Sequence, residues 1–131
     1  MSFELKDIKE AHAKVKSGVD FPSYVQDLIK IGVKKYDTYV SDGHAIFFGE
    51  DNFQIKSKPK YAKLVVAIIC DKDKFKHYLK SHQRGQTDFP SFCIHSAETG
   101  CEKWTMDMSQ MVCTYYDKLN GILFEEKISL P

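Results

Sequence analysis

The sequence predicts an α+β fold made of two divergent copies of one helix-helix-strand-strand-strand unit. Residues 20–23 read Asp-Phe-Pro-Ser, and the same four residues return at positions 88–91. When residues 20–52 are aligned without a gap on residues 88–120, eight positions are identical, where average amino-acid usage would give about two. In both copies a glycine separates a stretch of helical periodicity from stretches that alternate as strands do. An internal duplication explains both observations.

The repeat also predicts how the chain is organised. Copy one covers about residues 4–69 and copy two about residues 71–130, with no linker or low-complexity segment between them. Because one copy alone would bury only a marginal core, we expect residues 1–131 to form a single domain. Each copy ends in a meander of strands, so the expected sheet is antiparallel with helices packed on one face. An approximate two-fold axis would relate the copies.

Two helices are expected in copy one. Residues 5–16 carry apolar side chains at helical spacing, and Gly18 follows where a left-handed residue would end the helix. Asp20 is placed to cap a second helix, which Gly32 would end. The core-facing stripe of this second helix consists of Phe21, Tyr24, Val25, Leu28 and Ile29.

The strands of copy one follow Gly32. Alternating apolar residues predict strands at residues 36–40, 44–48 and 53–57. Ser41-Asp42-Gly43 between the first two is typical of a tight hairpin turn. Residues 64–69 are apolar throughout and are expected to add a buried or edge strand that closes the copy.

Copy two repeats this order. Asp71 is expected to cap a helix with an apolar stripe at Phe75, Tyr78, Leu79 and His82, and Gly85 to end it. The next helix begins at about residue 89 and ends at Gly100. Strands are expected at residues 103–108, 111–116 and 122–128, with Asn120-Gly121 as a turn before the last one.

Composition excludes several classes of protein. The chain is 43% hydrophobic and 28% charged, which is typical of an ordinary globular protein. The longest uncharged apolar run, residues 64–70, is too short to span a bilayer, and no signal sequence opens the chain, so we expect a cytoplasmic protein without a membrane partner. A net charge of +1 speaks against nucleic-acid binding.

The four cysteines also favour a reducing compartment. Cys70, Cys93, Cys101 and Cys113 lack the close pairing of a zinc site and the density of a secreted disulfide scaffold. We expect free, mostly buried thiols, no bound metal and no cofactor.

Several short motifs resemble a known family. They are His82-Gln83, Gly85, Thr87-Asp88-Phe89, Phe92-Cys93, Gly100, Glu102-Lys103-Trp104 and Cys113-Thr114-Tyr115-Tyr116-Asp117, preceded by Ile8, Ala11-His12 and Val15. Together they are similar to the YdfO-like family of small bacterial proteins of unknown function, which occur in prophage regions and are sometimes named phage envelope proteins. The resemblance covers nearly the whole chain. It implies a prophage association and carries no catalytic residue over to this sequence.

Positions that break the repeat are the candidate functional residues. On the second helix of each copy, Val25, Leu28 and Ile29 correspond to the smaller Cys93, Ser96 and Ala97. Because a void in a packed interior is unfavourable, either another element moves closer there or a pocket exists. Trp104 and Asp107 replace Tyr36 and Tyr39 in the same alignment, and His82 and Tyr115 are expected nearby. The candidate ligand-binding residues are therefore His82, Cys93, Ser96, Ala97, Trp104, Asp107 and Tyr115.

Two functions remain open from the sequence. The first is a non-enzymatic accessory module that binds an unknown small molecule or protein, in the groove between the copies or on an aromatic sheet face; a homodimer is compatible with it. The second is a small enzyme with Cys93 as nucleophile and His82 or His95 as its base. The absence of a recognised catalytic pattern favours the first.

Overall fold

A computed structural model describes residues 3–16 and 18–130. Within them the chain forms four α-helices, one 3₁₀ turn and six strands. The helices are α1 (Leu5–His12), α2 (Phe21–Ile31), α3 (Lys72–Gln83) and α4 (Phe89–Glu98), and the 3₁₀ turn is Gly18–Asp20. The strands are β1 (Lys35–Tyr39), β2 (Ala45–Phe48), β3 (Gln54–Lys56), β4 (Lys103–Asp107), β5 (Val112–Tyr116) and β6 (Ile122–Lys127). The predicted α+β class is confirmed.

The six strands form one antiparallel sheet in the order β3-β2-β1-β4-β5-β6. Each half of the chain contributes a three-stranded meander, and the two meanders meet where β1 pairs with β4. This central pair runs from Lys35 opposite Asp107 to Tyr39 opposite Lys103. A β-bulge at Tyr115 and Tyr116 shifts the register between β5 and β6.

One face of the sheet is buried beneath the helices. Tyr36 lies opposite Phe47 on one side and Met106 on the other, and Trp104 lies opposite Tyr115. All five side chains are buried. Ring contacts join three helices to this face, with centroid distances of 6.2 Å for Tyr24 and Tyr36, 5.1 Å for Phe75 and Tyr115, and 5.6 Å for Phe92 and Trp104. The apolar core therefore lies between the helices and one face of the sheet.

The opposite face of the sheet is polar. Thr105 donates a hydrogen bond of 2.6 Å to Asp37 across the β1–β4 pair. Lys103 places its ammonium 5.7 Å from the ring centre of Tyr39 and 5.4 Å from that of Tyr116. Cation–π contacts of this kind hold surface aromatics in place without burying them.

Three helix ends match the sequence predictions, two N-caps in copy two and one glycine in copy one. Asp71 accepts from the Lys74 amide at 3.0 Å and Asp88 from the Ser91 amide at 2.8 Å, so both are N-caps. Gly32 ends α2 with a φ of 104°, the left-handed conformation that glycine adopts without strain.

Copy one departs from prediction at its first helix. α1 ends at His12 rather than near residue 16, and Gly18 begins the 3₁₀ turn instead of ending α1. The predicted N-cap role of Asp20 is wrong, because its carboxylate accepts from the Lys16 amide at 2.9 Å and makes no cap bond to α2. The carboxylate thus closes the loop that precedes α2.

The core stripe of α2 is also narrower than predicted. Ile29, which was expected to face the core, is 38% exposed.

The strand expected at residues 64–69 does not form. Its backbone turns instead to the end of α4, where the Ala67 amide donates to the Ala97 carbonyl at 2.8 Å and the Asp71 amide to the Thr99 carbonyl at 3.1 Å. The last carbonyls of a helix lack partners within the helix, so a neighbouring segment that supplies amides is stabilised there. The composition of residues 64–69 is typical of a strand, but Val66 is the one branched apolar side chain among them that is buried.

The contact between α4 and this segment depends on a glycine. Gly100 follows α4 with a φ of 93°, and a Cβ there would lie 3.0 Å from Cys70 Cα. We expect Gly100→Ala to lower the free energy of unfolding by about 2 kcal/mol, because the strain of a left-handed residue adds to a tight contact with the Cys70 main chain.

Urea denaturation measures this effect. The control is Gly85→Ala, at an exposed glycine with a φ of 78°, which should lose only about 1 kcal/mol. Equal losses for the two variants would mean that the approach to Cys70 does not constrain the chain.

Candidate functional site

A cavity of about 150 Å³ lies between the buried face of the sheet and the helices. Its walls are mainly aromatic, with polar groups at a few places. The aromatic residues are Phe21, Tyr24, Tyr36, Phe47, Phe89, Phe92, Trp104 and Tyr115. The polar residues are His12, Lys16, Thr38, Lys60, His82 and Gln83. Among the described residues, the lining contains no carboxylate.

Ring contacts hold the aromatic walls in place. Phe92 lies between two neighbours: the His82 imidazole stacks on it at 4.5 Å, and the Trp104 indole lies 5.6 Å away. Phe89 meets Trp104 edge to face at 6.3 Å. Offset and edge-to-face contacts of this kind favour fixed ring positions, so the cavity has a defined shape.

Two basic side chains share one part of the wall. The ammonium of Lys60 lies 5.5 Å from the Phe89 ring centre, and the His12 ring lies 6.3 Å from the same centre. Lys60 as a whole residue is exposed, yet burial of its ammonium lowers its pKa. Burial and the nearby Lys60 charge lower the pKa of His12. Neither side chain forms an ion pair within the described part of the chain.

His82 has a fixed orientation at the end of α3. Its Nδ1–H donates to the Thr87 carbonyl at 3.1 Å, and Thr87 Oγ1 lies 3.3 Å from the same nitrogen. Burial lowers the pKa of His82, although the Thr87 bond and the Asp88 charge act in the other direction. A neutral His82 therefore anchors the loop after α3 while its ring lines the cavity.

Gly18 brings copy one against the end of α3. A Cβ at Gly18 would collide with the His82 carbonyl, so only glycine allows the 3₁₀ turn to approach this closely. Both Gly18 and His82 line the cavity. The turn thus forms part of the wall between the two halves of the chain.

The candidate residues from the sequence fall into three places. His82, Trp104 and Tyr115 line the cavity. Cys93, Ser96 and Ala97 are buried on α4 and lie outside the lining. Asp107 ends β4, where its carboxylate accepts from the amides of Ser109 and Gln110 and from the Ser109 hydroxyl. These bonds lower the pKa of Asp107 and fix the β4–β5 turn.

Closer packing, rather than a pocket, accounts for the small residues on α4. The segment that bonds to Ala97 and Thr99 passes over this part of the helix. Tyr61, at the start of the segment, donates to the Val40 carbonyl at 2.6 Å and also interacts with the Cys93 thiol.

The structure does not pair Cys93 with a base. Burial raises the pKa of Cys93 to about 11, although a hydrogen bond with Tyr61 and the charge of Lys60 act in the other direction. His82 bonds to Thr87, and His95 stacks on Tyr78 at 4.0 Å. The Nδ1 atom of His95 and the hydroxyl of Ser96 are buried without a hydrogen-bond partner in the described residues. A protonated, buried thiol is a poor nucleophile.

Sequence reasoning did not single out His12 and Lys60 as site residues. His12 falls at helical spacing with the apolar residues of the first helix. Lys60 lies in a basic segment whose composition is typical of a solvated loop. The sequence did contain a signal for the aromatic walls: the pairs Tyr24/Phe92, Tyr36/Trp104 and Phe47/Tyr115 occupy matching positions when residues 20–52 are aligned on residues 88–120. All six residues line the cavity.

Two kinds of feature are absent from the described residues, a metal site and a membrane-spanning helix. No three His, Cys, Asp or Glu side chains come together there as a metal site would require. No helix in the described part of the chain is long and apolar enough to cross a membrane. The four cysteines are unpaired, three of them buried and Cys70 partly exposed.

Comparison with known proteins gives a family and no activity. No curated protein matches the chain. Residues 9–127 match a family described as "Protein of unknown function (DUF1398)". Since the match covers most of the sequence, the chain belongs to the DUF1398 family.

Proposed function

We propose that this protein is a non-enzymatic binding module that takes a small, mainly apolar molecule into the cavity between the helices and the sheet. The observation that carries the proposal is the wall itself, which combines eight aromatic residues with a few polar groups. Ligand sites are typically concave and apolar, with few polar groups that orient the ligand.

The size of the cavity limits the ligand. Its volume of about 150 Å³ equals that of an engineered apolar cavity that binds benzene. One six-membered ring with a small substituent therefore fits. For a ligand of this size, an affinity on the order of 1 mM or tighter is expected from the free energy available per atom.

An internal two-fold axis through the cavity is part of the proposal. A shift of 68 residues carries the start of α2 at Phe21 to the start of α4 at Phe89. It also carries the pair Lys35–Asp107 to the pair Lys103–Tyr39, which lies in the same β1–β4 ladder. Both agreements support a duplication whose copies face each other across β1 and β4.

The cavity walls support the same symmetry. Four pairs of residues related by this shift line it: Phe21/Phe89, Tyr24/Phe92, Tyr36/Trp104 and Phe47/Tyr115. A duplicated unit places equivalent side chains around its axis. The cavity is then a consequence of the duplication, and each copy supplies half of its aromatic surface.

Cellular context enters the proposal only through the chain's chemistry. Four unpaired cysteines are compatible with a reducing cytoplasm. The prophage association implied by the YdfO-like resemblance stays a prediction, which the genes next to members of the family would test.

Filling the cavity tests the binding function. Ala45 lines the cavity from β2 and is 2% exposed, so Ala45→Leu should occupy the ligand's space. We expect this variant to bind benzyl alcohol at least about tenfold more weakly without losing stability, since added methyl groups fill a void. The indole N–H signal of Trp104, the single tryptophan, reports binding by NMR.

Ala62→Leu is the matched control, because Ala62 is exposed and does not line the cavity. It should bind benzyl alcohol as the parent protein does. Equal binding by Ala45→Leu and the parent, or no Trp104 shift with any single-ring compound, would contradict a ligand site in this cavity.

The reactivity of Cys93 tests the non-enzymatic part. With its pKa raised to about 11, Cys93 carries little thiolate near neutral pH, and it is fully buried. Alkylation by iodoacetamide, followed by mass spectrometry, should modify the partly exposed Cys70 first and Cys93 at least about a hundredfold more slowly than in urea.

Urea-unfolded protein supplies the reference rate for each thiol. Preferential alkylation of Cys93 in the native protein, together with a reaction rate that levels off below pH 8 or so, would instead indicate an activated nucleophile.

A further inference from the structure

The charges around the cavity are one-sided. The lining provides the ammonium of Lys60 and the imidazole of His12, both against Phe89. No described acidic residue lines the cavity. Three acidic groups bonded or adjacent to lining residues already have partners: Asp20 accepts from the Lys16 amide, Glu126 bonds Lys80 and Gln83, and Asp88 accepts from the Ser91 amide.

We propose that the cavity binds a small aromatic carboxylate, with its ring among the paired aromatic side chains and its carboxylate against Lys60 and His12. This inference rests on the proposed binding function and adds the chemical class of the ligand.

The unpaired ammonium of Lys60 is the physical reason for a negative charge. Lys60 lines the cavity against Phe89 and forms no ion pair in the described residues, and an anion held beside it would make charge-assisted hydrogen bonds. A cationic ligand would meet repulsion from Lys60, and a neutral one would leave Lys60 unpaired.

The aromatic part follows from the walls and the volume. Planar rings can stack on or meet edge to face the fixed rings of Phe92, Phe89 and Trp104. An aliphatic chain of the same volume would lose these contacts and more rotational freedom. The room left beside one ring is enough for a carboxylate and little more.

His12 should take up a proton when the anion binds. The titratable groups around it are Lys60 on the crossing segment, Lys16 after α1, Tyr24 on α2, His82 on α3, and Tyr36 and Tyr115 on the sheet. None of them is an acid near neutral pH, because burial raises the pKa of all three tyrosines. A bound carboxylate would thus be the main negative charge near His12 and would raise its pKa.

The sign of the pH effect follows from this linkage. When the pKa of His12 is higher in the complex than in the free protein, binding is strongest below the free-protein pKa and weakens as pH rises toward the pKa in the complex. Because a carboxylic acid with a pKa near about 4 stays ionised at neutral pH, the change belongs to the protein.

Benzoate, benzamide and benzylamine are single-ring probes of similar size that differ in charge. We expect the Trp104 indole signal to titrate with benzoate at an affinity at least about tenfold higher than with benzamide, and benzylamine to bind most weakly. Lowering the pH from about 8 to about 6 should strengthen benzoate binding severalfold and leave benzamide binding unchanged.

Two variants with matched controls locate the charge. Lys60→Met keeps most of the length of the side chain without its charge and should remove the preference for benzoate over benzamide. Lys63→Met, at an exposed lysine three residues along the same segment, should leave that preference unchanged. His12→Gln should abolish the pH dependence, whereas His77→Gln, at an exposed histidine of α3, should preserve it.

The outcomes separate this inference from the function on which it rests. Equal affinities for benzoate and benzamide, tighter binding of benzylamine, or a benzoate preference that survives Lys60→Met would overturn the anion inference and leave the binding function standing. Absence of binding by all three probes would remove both.

Discussion

The pairing of β1 with β4 is the contact on which the rest of the structure depends. It is the central pair of the six-stranded sheet and joins two meanders that are otherwise local in sequence. Its register sets Thr38 opposite Trp104 and Tyr36 opposite Met106 on the buried face. A slip of one residue would turn these side chains to the outer face and bring Asp37 and Thr105 inward. The core and the cavity therefore share one register.

Local patterns in the sequence were sufficient for most of the fold and insufficient where distant segments compete for backbone bonds. Alternation and glycine positions located all six observed strands, because periodicity reports which face is buried. Residues 64–69 have the composition of a strand, but the unpaired carbonyls at the end of α4 supply their partners. Asp20 and Asp88 occupy the same repeat position, yet only Asp88 caps its helix, since Asp20 bonds the loop before it. No single-copy pattern distinguishes the two aspartates.

The candidate site was predictable in its aromatic part and not in its charged part. Trp104 and Tyr115 were among the predicted ligand-binding residues, and both lie on the cavity wall. Lys60 reaches the cavity only because the chain after β3 crosses toward α4, a path that depends on tertiary contacts such as the Tyr61 bond to Val40. In sequence, Lys60 is one lysine among several in a polar stretch. Departure from the repeat led to Cys93, Ser96 and Ala97, which are buried on α4 and lie outside the cavity lining.

Charged residues distinguish the two sides of a cavity whose aromatic walls match each other. Matching aromatic residues from two copies would accept a flat ligand in either of two orientations related by the proposed axis. On the copy-two side, His82 lines the cavity and donates to the Thr87 carbonyl at 3.1 Å. On the copy-one side, Lys60 and His12 line the cavity and have no acidic partner in the described residues. A ligand with a ring at one end and a negative charge at the other gains from only one orientation. Under the proposed duplication, the repeat accounts for the shape of the cavity, and the proposed contact of Lys60 and His12 with an anion selects which way a ligand lies.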